Sequence, residues 1–425
     1  MNANGCREWL QSAAFQNTLC ELYGTAAAER QKVRYNAIFE RFCAQFGERE
    51  NLAFLTAPGR TELGGNHTDH QHGCVLGGAV DLDFVGVVAP RNDNRICIFS
   101  EGYSPVLLTT EDNSAKIGEE QHTALSRGVL HAFSKRGVSL CGFDLYLQSD
   151  VPVGGGVSSS AAFELLLCTA INHTLGKRAL PRCELARIGN EAEQTHLNKK
   201  SGLLDQTVSS LGGLVFLDFA NEGDPYVENL SFSFEDAKLA LFVVDTGSSH
   251  AALGDDYAAI RDEMHAISSH FGKEVLSEVN EETFFASLPE LFRTESHRSI
   301  LRAMHFFEEN KRAKEEAEAL KNGDVEAFLN LVRVSGASSA NLLQNLYCTT
   351  SPQIQPIPLA LAISEHVLSG RGAVRVHGGG FAGTIQAFVA QELADEYKRS
   401  VEGVFGDGTC HRVHIRKKGA CVLIS

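Results

Sequence analysis

The sequence lacks several features that would mark particular classes of protein. Its eleven cysteines form no C-x-x-C pair, which argues against zinc ribbons and thioredoxin-type redox pairs. Cationic residues are in deficit, because 38 Lys and Arg stand against 53 Asp and Glu, for a formal net charge of -15. This balance argues against a protein that binds nucleic acid or an anionic membrane surface.

Long apolar runs are also missing. No stretch approaches the roughly 20 apolar residues that a membrane-spanning helix needs. The first residues lack the basic segment and following apolar run of a secretory signal. We therefore expect a cytoplasmic protein with neither membrane nor nucleic-acid partners. A hydrophobic content of 43% and a length of 425 residues predict a globular chain of two domains.

The most informative stretch that is present is VPVGGGVSSS at residues 151–160, which an apolar helical pattern follows at once. Glycines let the backbone come close to a ligand. The serines predict an N-cap and unpaired N–H groups at the positive end of a helix. Together they predict a phosphate-binding loop. The stretch is neither a P-loop nor a dinucleotide fingerprint, and a simple Gly-rich turn before a capped helix is the alternative.

A second stretch, APGRTELGGNHTDH at residues 57–70, concentrates polar side chains. Three glycines and a proline predict a loop here, between strands at 52–57 and 74–80. Polar groups clustered on a loop of a rigid scaffold often hold a ligand. A solvated turn is the alternative. The candidate residues are Arg60, Glu62, Asn66, His67, Asp69 and His70.

Two further stretches contain candidates. Glu193 lies near the end of a predicted helix, and Asp205 lies where the next helix is predicted to begin. Taken alone, Glu193 could be a helix-surface charge and Asp205 an N-cap. Near the end of the chain, residues 374–390 place a triple-glycine turn between two strand-like runs.

The pattern of elements predicts an α+β fold with mixed sheets. Many strands precede the first long buried helix, which argues against a doubly wound sheet. We expect one domain over residues 1–230 and a second over residues 231–425. Predicted helices lie at 15–23, 28–46, 255–272 and 299–322, and further predicted strands at 84–89, 96–100, 106–110, 143–148 and 238–246.

In order and spacing, the polar stretch, the phosphate loop and the last glycine turn resemble the signature motifs of the GHMP small-molecule kinases. The first also resembles the galactokinase signature, Gly-Arg-x-Asn-Leu-Ile-Gly-Glu-His-Thr-Asp-Tyr. Residues 201–206, SGLLDQ, resemble its Cys-Gly-Ile-Met-Asp-Gln. The positions that match the first signature are Gly59, Arg60, Leu63, Gly65, His67, Thr68 and Asp69.

The resemblance implies a two-domain kinase with its active site in the cleft between the domains. Such an enzyme would use ATP and Mg2+ to phosphorylate the anomeric hydroxyl of D-galactose. Its partners would be the sugar and ATP, and the chain would be a monomer or a weak homo-oligomer.

The resemblance also implies roles for single residues. Asp205 would accept or orient the proton of the sugar hydroxyl, and Arg60 would be its partner. Ser160 and Glu193 would hold Mg2+, whose preferred ligands are hard oxygens. The ATP-binding residues would be Gly154, Gly155, Gly156, Ser158, Ser159 and Ser160. The sugar-binding residues would be Asn66, His67, Asp69, Gly202 and Tyr257.

Four positions depart from the signature: Glu62 replaces Asn, Gly64 replaces Ile, Asn66 replaces Glu and His70 replaces Tyr. The change at residue 66 removes a carboxylate acceptor. It leaves galacturonate or arabinose open as alternative substrates. A non-catalytic regulator that binds sugar and ATP is another alternative, against which the retained Asp205 argues. We expect Asn66→Glu to leave galactose activity equal or higher.

Overall fold

The computed structural model describes residues 1–152, 155–199, 201–221, 223, 225–247, 254–347, 349, 351–381 and 383–425. The α-helices are α1 Ala3–Leu10, α2 Ala13–Tyr23, α3 Ala28–Phe46, α4 Gln121–Lys135, α5 Ser159–Thr174, α6 Arg182–His196, α7 Leu204–Leu211, α8 Gly254–His270, α9 Glu281–Ala286, α10 Leu288–Thr294, α11 His297–Lys321, α12 Val325–Ser338, α13 Pro356–Leu368 and α14 Ala394–Phe405. The strands are β1 Ala53–Gly64, β2 Cys74–Pro90, β3 Arg95–Ser100, β4 Val106–Thr109, β5 Phe143–Ser149, β6 Leu214–Asp218, β7 Tyr226–Leu230, β8 Leu239–Asp245, β9 Gly372–His377, β10 Thr384–Ala390, β11 Cys410–Val413 and β12 Cys421–Ile424.

The larger sheet has the order β12-β1-β2-β5-β3-β4, and β6 and β7 extend it from β2. Its pairs are antiparallel apart from β3 with β5, which is parallel. Successive residues of a strand point to opposite faces. Leu55 and Val88 therefore join a core with α4, α5 and α6, whereas Phe54 and Val87 pack against α1 to α3 on the other face. The N-terminal helices thus flank the sheet.

The smaller sheet has the order β11-β8-β10-β9 and is antiparallel throughout. Phe242 packs against Tyr397 of α14 on one face, with 5.3 Å between ring centroids. Phe388 packs against Phe328 of α12 on the other, at 5.1 Å. One sheet of mixed pairing and one antiparallel sheet, both covered by helices, confirm the predicted α+β class.

Two boundaries within the larger sheet differ from the sequence prediction. β1 continues through Gly64 although a loop was expected from residue 57, because the register with β2 shifts between Pro58 and Arg60 and accommodates the break. β2 is one strand where two were predicted. Asp83, which lies between the two predicted strands, can be buried inside the continuous strand because Arg34 and Arg416 each donate a 2.7 Å hydrogen bond to its carboxylate.

The chain returns to the larger sheet at its end. β12 pairs antiparallel with β1, and Phe54 lies opposite Ile424. Residues 421–424 therefore belong to the first sheet and not to the second unit in which the sequence placed them. Among the residues that the structure describes, no helix is long and apolar enough to cross a membrane.

Candidate active site

Segments that are distant in sequence converge at one end of β1. They are the end of β1 itself, the loop before α5, the last turn of α6, the first turn of α7 and the turn between β9 and β10. Contacts between their side chains, described below, join these segments into one site. Gly154, one of the predicted ATP-binding residues, lies outside the described residues.

Asp205 lies in the first turn of α7 and is held by two donors. Arg60 Nε donates to its Oδ1 at 2.7 Å, and Ser158 Oγ donates to its Oδ2. Arg60 Nη1 also donates to the carbonyl of Gly156 at 2.8 Å, so one guanidinium joins the aspartate to the glycine loop. Asp205 is not the N-cap of α7, a position that Leu203 takes.

Ser158 corrects one detail of the sequence prediction. It is the N-cap of α5, but its side chain makes no capping hydrogen bond because the hydroxyl is given to Asp205. Its φ of 55° is in the left-handed region, which is uncommon for a residue other than glycine. Backbone outliers of this kind cluster at functional sites.

The surroundings of Asp205 favour its ionised form. Burial alone would raise the pKa of this carboxyl, but the charges of Arg60 and Lys199 and the hydrogen bond from Ser158 outweigh burial, so the pKa is lowered. An ionised carboxylate that is already oriented by two donors can accept a proton from a hydroxyl group.

Glu193, in the last turn of α6, is 1% exposed and accepts several hydrogen bonds. Ser160 Oγ donates to its Oε1 at 2.7 Å, and Lys199 Nζ contacts the same oxygen at 2.6 Å. Ser201 Oγ donates to Oε2 at 2.8 Å. The predicted metal ligands Ser160 and Glu193 are therefore adjacent. Lys199 shows that a cation can lie against the Glu193 carboxylate, and hydroxyl and carboxylate oxygens are the hard ligands that Mg2+ prefers.

Asp69 lies beside Gly202 and near Asp205. A Cβ built on Gly202 would overlap the Asp69 carboxylate, so only glycine leaves room for it. The backbone N–H of His70 donates to Asp69 Oδ1 at 2.9 Å. Burial, with the nearby charge of Asp205, raises the pKa of Asp69 to about 6.

His67 and Tyr257 both contact the turn between β9 and β10. His67 Nε2 donates to the carbonyl of Gly379 at 3.1 Å, and Tyr257 OH donates to the carbonyl of Gly380 at 3.3 Å. Burial lowers the pKa of His67 to about 4, so the ring is neutral near pH 7. Burial also raises the pKa of Tyr257 to about 12.

Asn66 is fully buried, and its amide is committed to protein partners. Nδ2 donates to Glu62 Oε1 at 2.9 Å and to the carbonyl of Gly378 at 2.7 Å. Oδ1 accepts from Asn345 Nδ2 at 2.9 Å and from Ser339 Oγ at 3.3 Å. Two donors and two acceptors are all that an amide side chain offers. In this structure the Asn66 side chain has nothing left to offer the sugar, contrary to the sequence expectation.

An apolar pocket adjoins the phosphate loop, and the sequence did not predict it. Ser159 and Ser160 form one edge of the pocket, and Phe84, Tyr103, Leu125 and Phe163 are among the larger apolar side chains that line it. Largely apolar pockets are typical of small-molecule sites. No motif signals this one, because its lining comes from β2, β3, β4, β5, α4, α5 and the β3–β4 connection.

Sequence reasoning also missed Lys199 and Ser201. Both lie in the seven residues LNKKSGL between α6 and α7, and both contact Glu193. The density of polar residues between two motif positions was the available signal.

Two family models match parts of the chain. Residues 124–213 match the family model described as GHMP kinases N terminal domain. Residues 40–90 match the model described as galactokinase galactose-binding signature.

Solved structures establish the same fold over nearly the whole chain. Lactococcus lactis galactokinase in complex with galactose superposes with a TM-score of 0.79 at 22% identity, covering 91% of this chain and 98% of that one. Methanococcus jannaschii mevalonate kinase gives a TM-score of 0.61 at 15% identity, covering 86% and 99%.

Residues 124–213 thus carry the N-terminal domain of the GHMP kinases, on a fold that the chain shares with a solved galactokinase and a solved mevalonate kinase. Residues 40–90 carry, more specifically, the galactose-binding signature of the galactokinases. The matches support an ATP-dependent galactose kinase and do not favour a galacturonate or arabinose kinase or a non-catalytic regulator.

Proposed function

We propose that the chain transfers the γ-phosphoryl group of ATP to the anomeric hydroxyl of D-galactose, with Asp205 as the residue that receives the hydroxyl proton. The observation that carries this proposal is the environment of Asp205. Its carboxylate is kept ionised by Arg60 and oriented by Ser158, and both partners tie it to the glycine loop.

In the proposed step, the sugar oxygen bonds to the γ-phosphorus as the bond from phosphorus to the ADP oxygen breaks. Asp205 takes the proton that the sugar oxygen loses, and ADP leaves with the electron pair. Arg60 keeps Asp205 ionised before the step. Its guanidinium also lies against the loop that would hold the phosphates, where it offsets negative charge on the transferred group.

For ATP we propose two adjoining subsites. The loop residues Gly155, Gly156, Ser158, Ser159 and Ser160, together with Gly154, would hold the phosphates through N–H groups and hydroxyls. The apolar pocket beside Ser159 would take the base, because a flat aromatic ring suits walls such as Phe84 and Tyr103.

Mg2+ would be held by Ser160 and Glu193, where it would supply charge neutralisation for the phosphates. Lys199 contacts the same carboxylate oxygen at 2.6 Å. It would therefore have to move away from Glu193 or share it with the ion.

For the sugar we propose contacts from Asp69 and His67, with Gly202 and Tyr257 shaping the site. Asp69 offers an acceptor in a buried setting, and buried polar groups reject a substrate that leaves them unpaired. Asn66 contributes through protein contacts, as argued below. A cytoplasmic location and a monomeric or weakly oligomeric state stay predictions.

The test is a coupled ADP-release assay with galactose, glucose, galacturonate and arabinose, followed by identification of the product by phosphorus NMR. We expect the highest kcat/KM for galactose and a phosphate on the anomeric oxygen. A higher kcat/KM for galacturonate or arabinose, or a phosphate on another hydroxyl, would refute the proposal.

A further inference from the structure

Three of the four departures from the galactokinase signature lie together. Glu62, Gly64 and Asn66 alternate along the end of β1 and the residues just beyond it. Glu62 and Gly64 lie two residues apart at the end of β1, and the register with β2 shifts between them. All three contact side chains or backbone of the C-terminal half of the chain, so the departures share one environment.

The first and third departures are an exchange. The signature has an amide at position 62 and a carboxylate at position 66, whereas this chain has a carboxylate at 62 and an amide at 66. The two side chains are in contact, since Asn66 Nδ2 donates to Glu62 Oε1 at 2.9 Å. The signature and this chain therefore both have one amide and one carboxylate at positions 62 and 66, but the two groups have exchanged positions.

The exchanged carboxylate has its own counter-charge. Arg375 Nη2 on β9 lies 2.5 Å from Glu62 Oε1, and both side chains are almost wholly buried. Arg375 Nη1 donates to Ser335 Oγ at 2.8 Å. Removing one partner of a buried ion pair leaves an uncompensated charge, so Glu62 cannot change independently of Arg375.

Gly64 makes room for another buried acid. A Cβ built on Gly64 would overlap the carboxylate of Glu316, which projects from α11 and is 0% exposed. An isoleucine at position 64, as in the signature, would need this space. Gly64 therefore leaves the space that Glu316 occupies, just as Glu62 supplies the charge that Arg375 pairs with.

Asn66 connects these residues to the proposed sugar site. Asn66 Nδ2 donates to the carbonyl of Gly378, and the next residue, His67, donates to the carbonyl of Gly379. Asn345 donates to Asn66 Oδ1 at 2.9 Å, and its own carbonyl accepts from the N–H of Phe381 at 2.5 Å. The hydrogen bonds of Asn66, His67 and Asn345 thus hold the turn at residues 378–381 against the polar stretch at residues 57–70.

We propose that Glu62, Gly64, Asn66 and Arg375 form one positioning unit, which holds the turn at residues 378–381 against His67 and so sets the shape of the sugar site. The inference rests on the proposed function for its effect on sugar binding. In this unit Asn66 acts through the turn and not by touching the substrate.

The positioning unit reverses one expectation from the sequence. Asn66→Glu alone would place a second carboxylate beside Glu62 and remove the donor to Gly378. Two buried like charges in contact are unfavourable. We therefore expect this variant to lose galactose affinity and not to gain activity.

The test is a double-mutant cycle with isosteric changes: Glu62→Gln, Asn66→Asp and the two combined. The double variant again pairs an amide with a carboxylate, in the order of the signature. We expect each single change to lower Tm and the double variant to lose less than the sum of the two, which is the mark of direct coupling. This measurement needs no ligand.

The same proteins test positioning through kinetics. In Asn66→Asp and in the double variant the carbonyl of Gly378 has lost its donor. We expect the KM for galactose to rise about tenfold in both, while the KM for ATP stays close to that of the native protein. If Asn66→Asp does not fold, Asn66→Ala removes the same donor without adding a charge and takes its place.

Ser364→Ala is the matched control, because it removes a buried hydrogen bond to Tyr397 away from this unit. It should lower Tm without changing the KM for galactose. Additive Tm losses in the cycle, or an unchanged galactose KM in Asn66→Asp, would overturn the inference. If the native protein does not phosphorylate galactose, the proposed function fails, yet the Tm cycle still tests the coupling of residues 62 and 66.

Discussion

The chemistry proposed here depends on two neighbouring side chains, Asp69 and Asp205, whose surroundings shift their pKa values in opposite directions. Burial would raise the pKa of Asp205, but Arg60, Ser158 and Lys199 together lower it. Burial and the charge of Asp205 raise the pKa of Asp69 to about 6. Environments that separate the pKa values of two carboxyls give them different roles. In the proposed mechanism Asp205 stays ionised as the proton acceptor, and Asp69 is the group that titrates.

The pKa of Asp69 predicts the pH dependence of galactose use. Above about pH 6 the carboxylate is ionised and, in the proposed site, would accept hydrogen bonds from the sugar. Below it the protonated acid is a weaker acceptor, so kcat/KM for galactose should fall as the pH drops through about 6. The measurement is kcat/KM between pH 5 and 8, with Asp69→Asn expected to remove this step.

Glu62 provides the control for this profile, because burial raises its pKa to about 7. Glu62→Gln removes that titration. The step near pH 6 should persist in Glu62→Gln. A step that vanishes in Glu62→Gln and survives in Asp69→Asn would assign the pH dependence to Glu62 and contradict the account.

The contact between Lys199 and Glu193 predicts two opposite effects on the Mg2+ requirement. Glu193→Gln removes a ligand charge and should raise the free Mg2+ needed for half-maximal rate by about tenfold or more. Lys199→Met removes an ammonium that occupies the same oxygen and should lower it. The measurements are activity against free Mg2+ and the Tm increase that Mg2+ and ADP produce together.

Lys135→Met is the control for the lysine change, since Lys135 pairs with Glu191 on the outer side of the same helix at 2.7 Å. Its Mg2+ curve should match that of the native protein. An unchanged curve for Glu193→Gln would remove Glu193 from the proposed metal site.

The sequence allowed Asp205, Arg60, Ser160 and Glu193 to be singled out because they occupy motif positions, and the structure brings each pair together. The sequence could not predict where the Asn66 side chain points. That direction depends on partners about 275 residues later, such as Asn345, and no local pattern encodes such a contact.

Among the elements, β1 and the segment before α7 have the largest influence on the site. β1 carries Arg60 and Glu62 on a paired strand and not on a loop, so their backbone positions are set by the ladder with β2. Sites on regular elements are held more precisely than sites on loops. Residues 201–203 lead into α7 and place Gly202 beside Asp69.

The space beside Gly202 predicts a specific sensitivity. Gly202→Ala would push a methyl group into the Asp69 carboxylate. We expect the KM for galactose to rise by about tenfold and the KM for ATP to change little. The measurement is the pair of KM values for each variant.

Gly403→Ala is the matched control, since Gly403 lies in α14 and a Cβ there meets nothing within 4 Å. This variant should keep both KM values and gain slightly in stability, because alanine favours a helix. Equal galactose KM values for the two alanine variants would show that residue 202 does not shape the sugar site.

Element type was easier to predict than element ends. The helices α2, α3, α8 and α11 and the strands β3, β4, β5 and β8 were predicted to within a few residues, because their apolar patterns are regular. The continuation of β1 was missed because Pro58 and Gly59 signal a break that a register shift absorbs. α1 was missed because eight residues are a short span in which to recognise a period, although its buried Ala3, Cys6, Trp9 and Leu10 do recur at helical spacing.

The whole molecule is organised so that both sheets contribute to one site. The larger sheet supplies β1 and the glycine loop, and the smaller sheet supplies the turn between β9 and β10. The last strand, β12, returns to pair with β1. Length and composition predicted two units, but strand order and the return of the chain end depend on contacts across more than 350 residues and could not be predicted.

The most direct test of the central claim is a comparison of the native protein with Asp205→Asn. The account predicts that the variant folds and is stabilised by ATP and by galactose in Tm as the native protein is. Its kcat for galactose should fall by about 10² to 10⁴, and that of Asp395→Asn, a change at an exposed aspartate in α14, should not. A fall of less than about tenfold in Asp205→Asn, with both ligands still bound, would contradict the assignment of Asp205 as the residue that receives the proton.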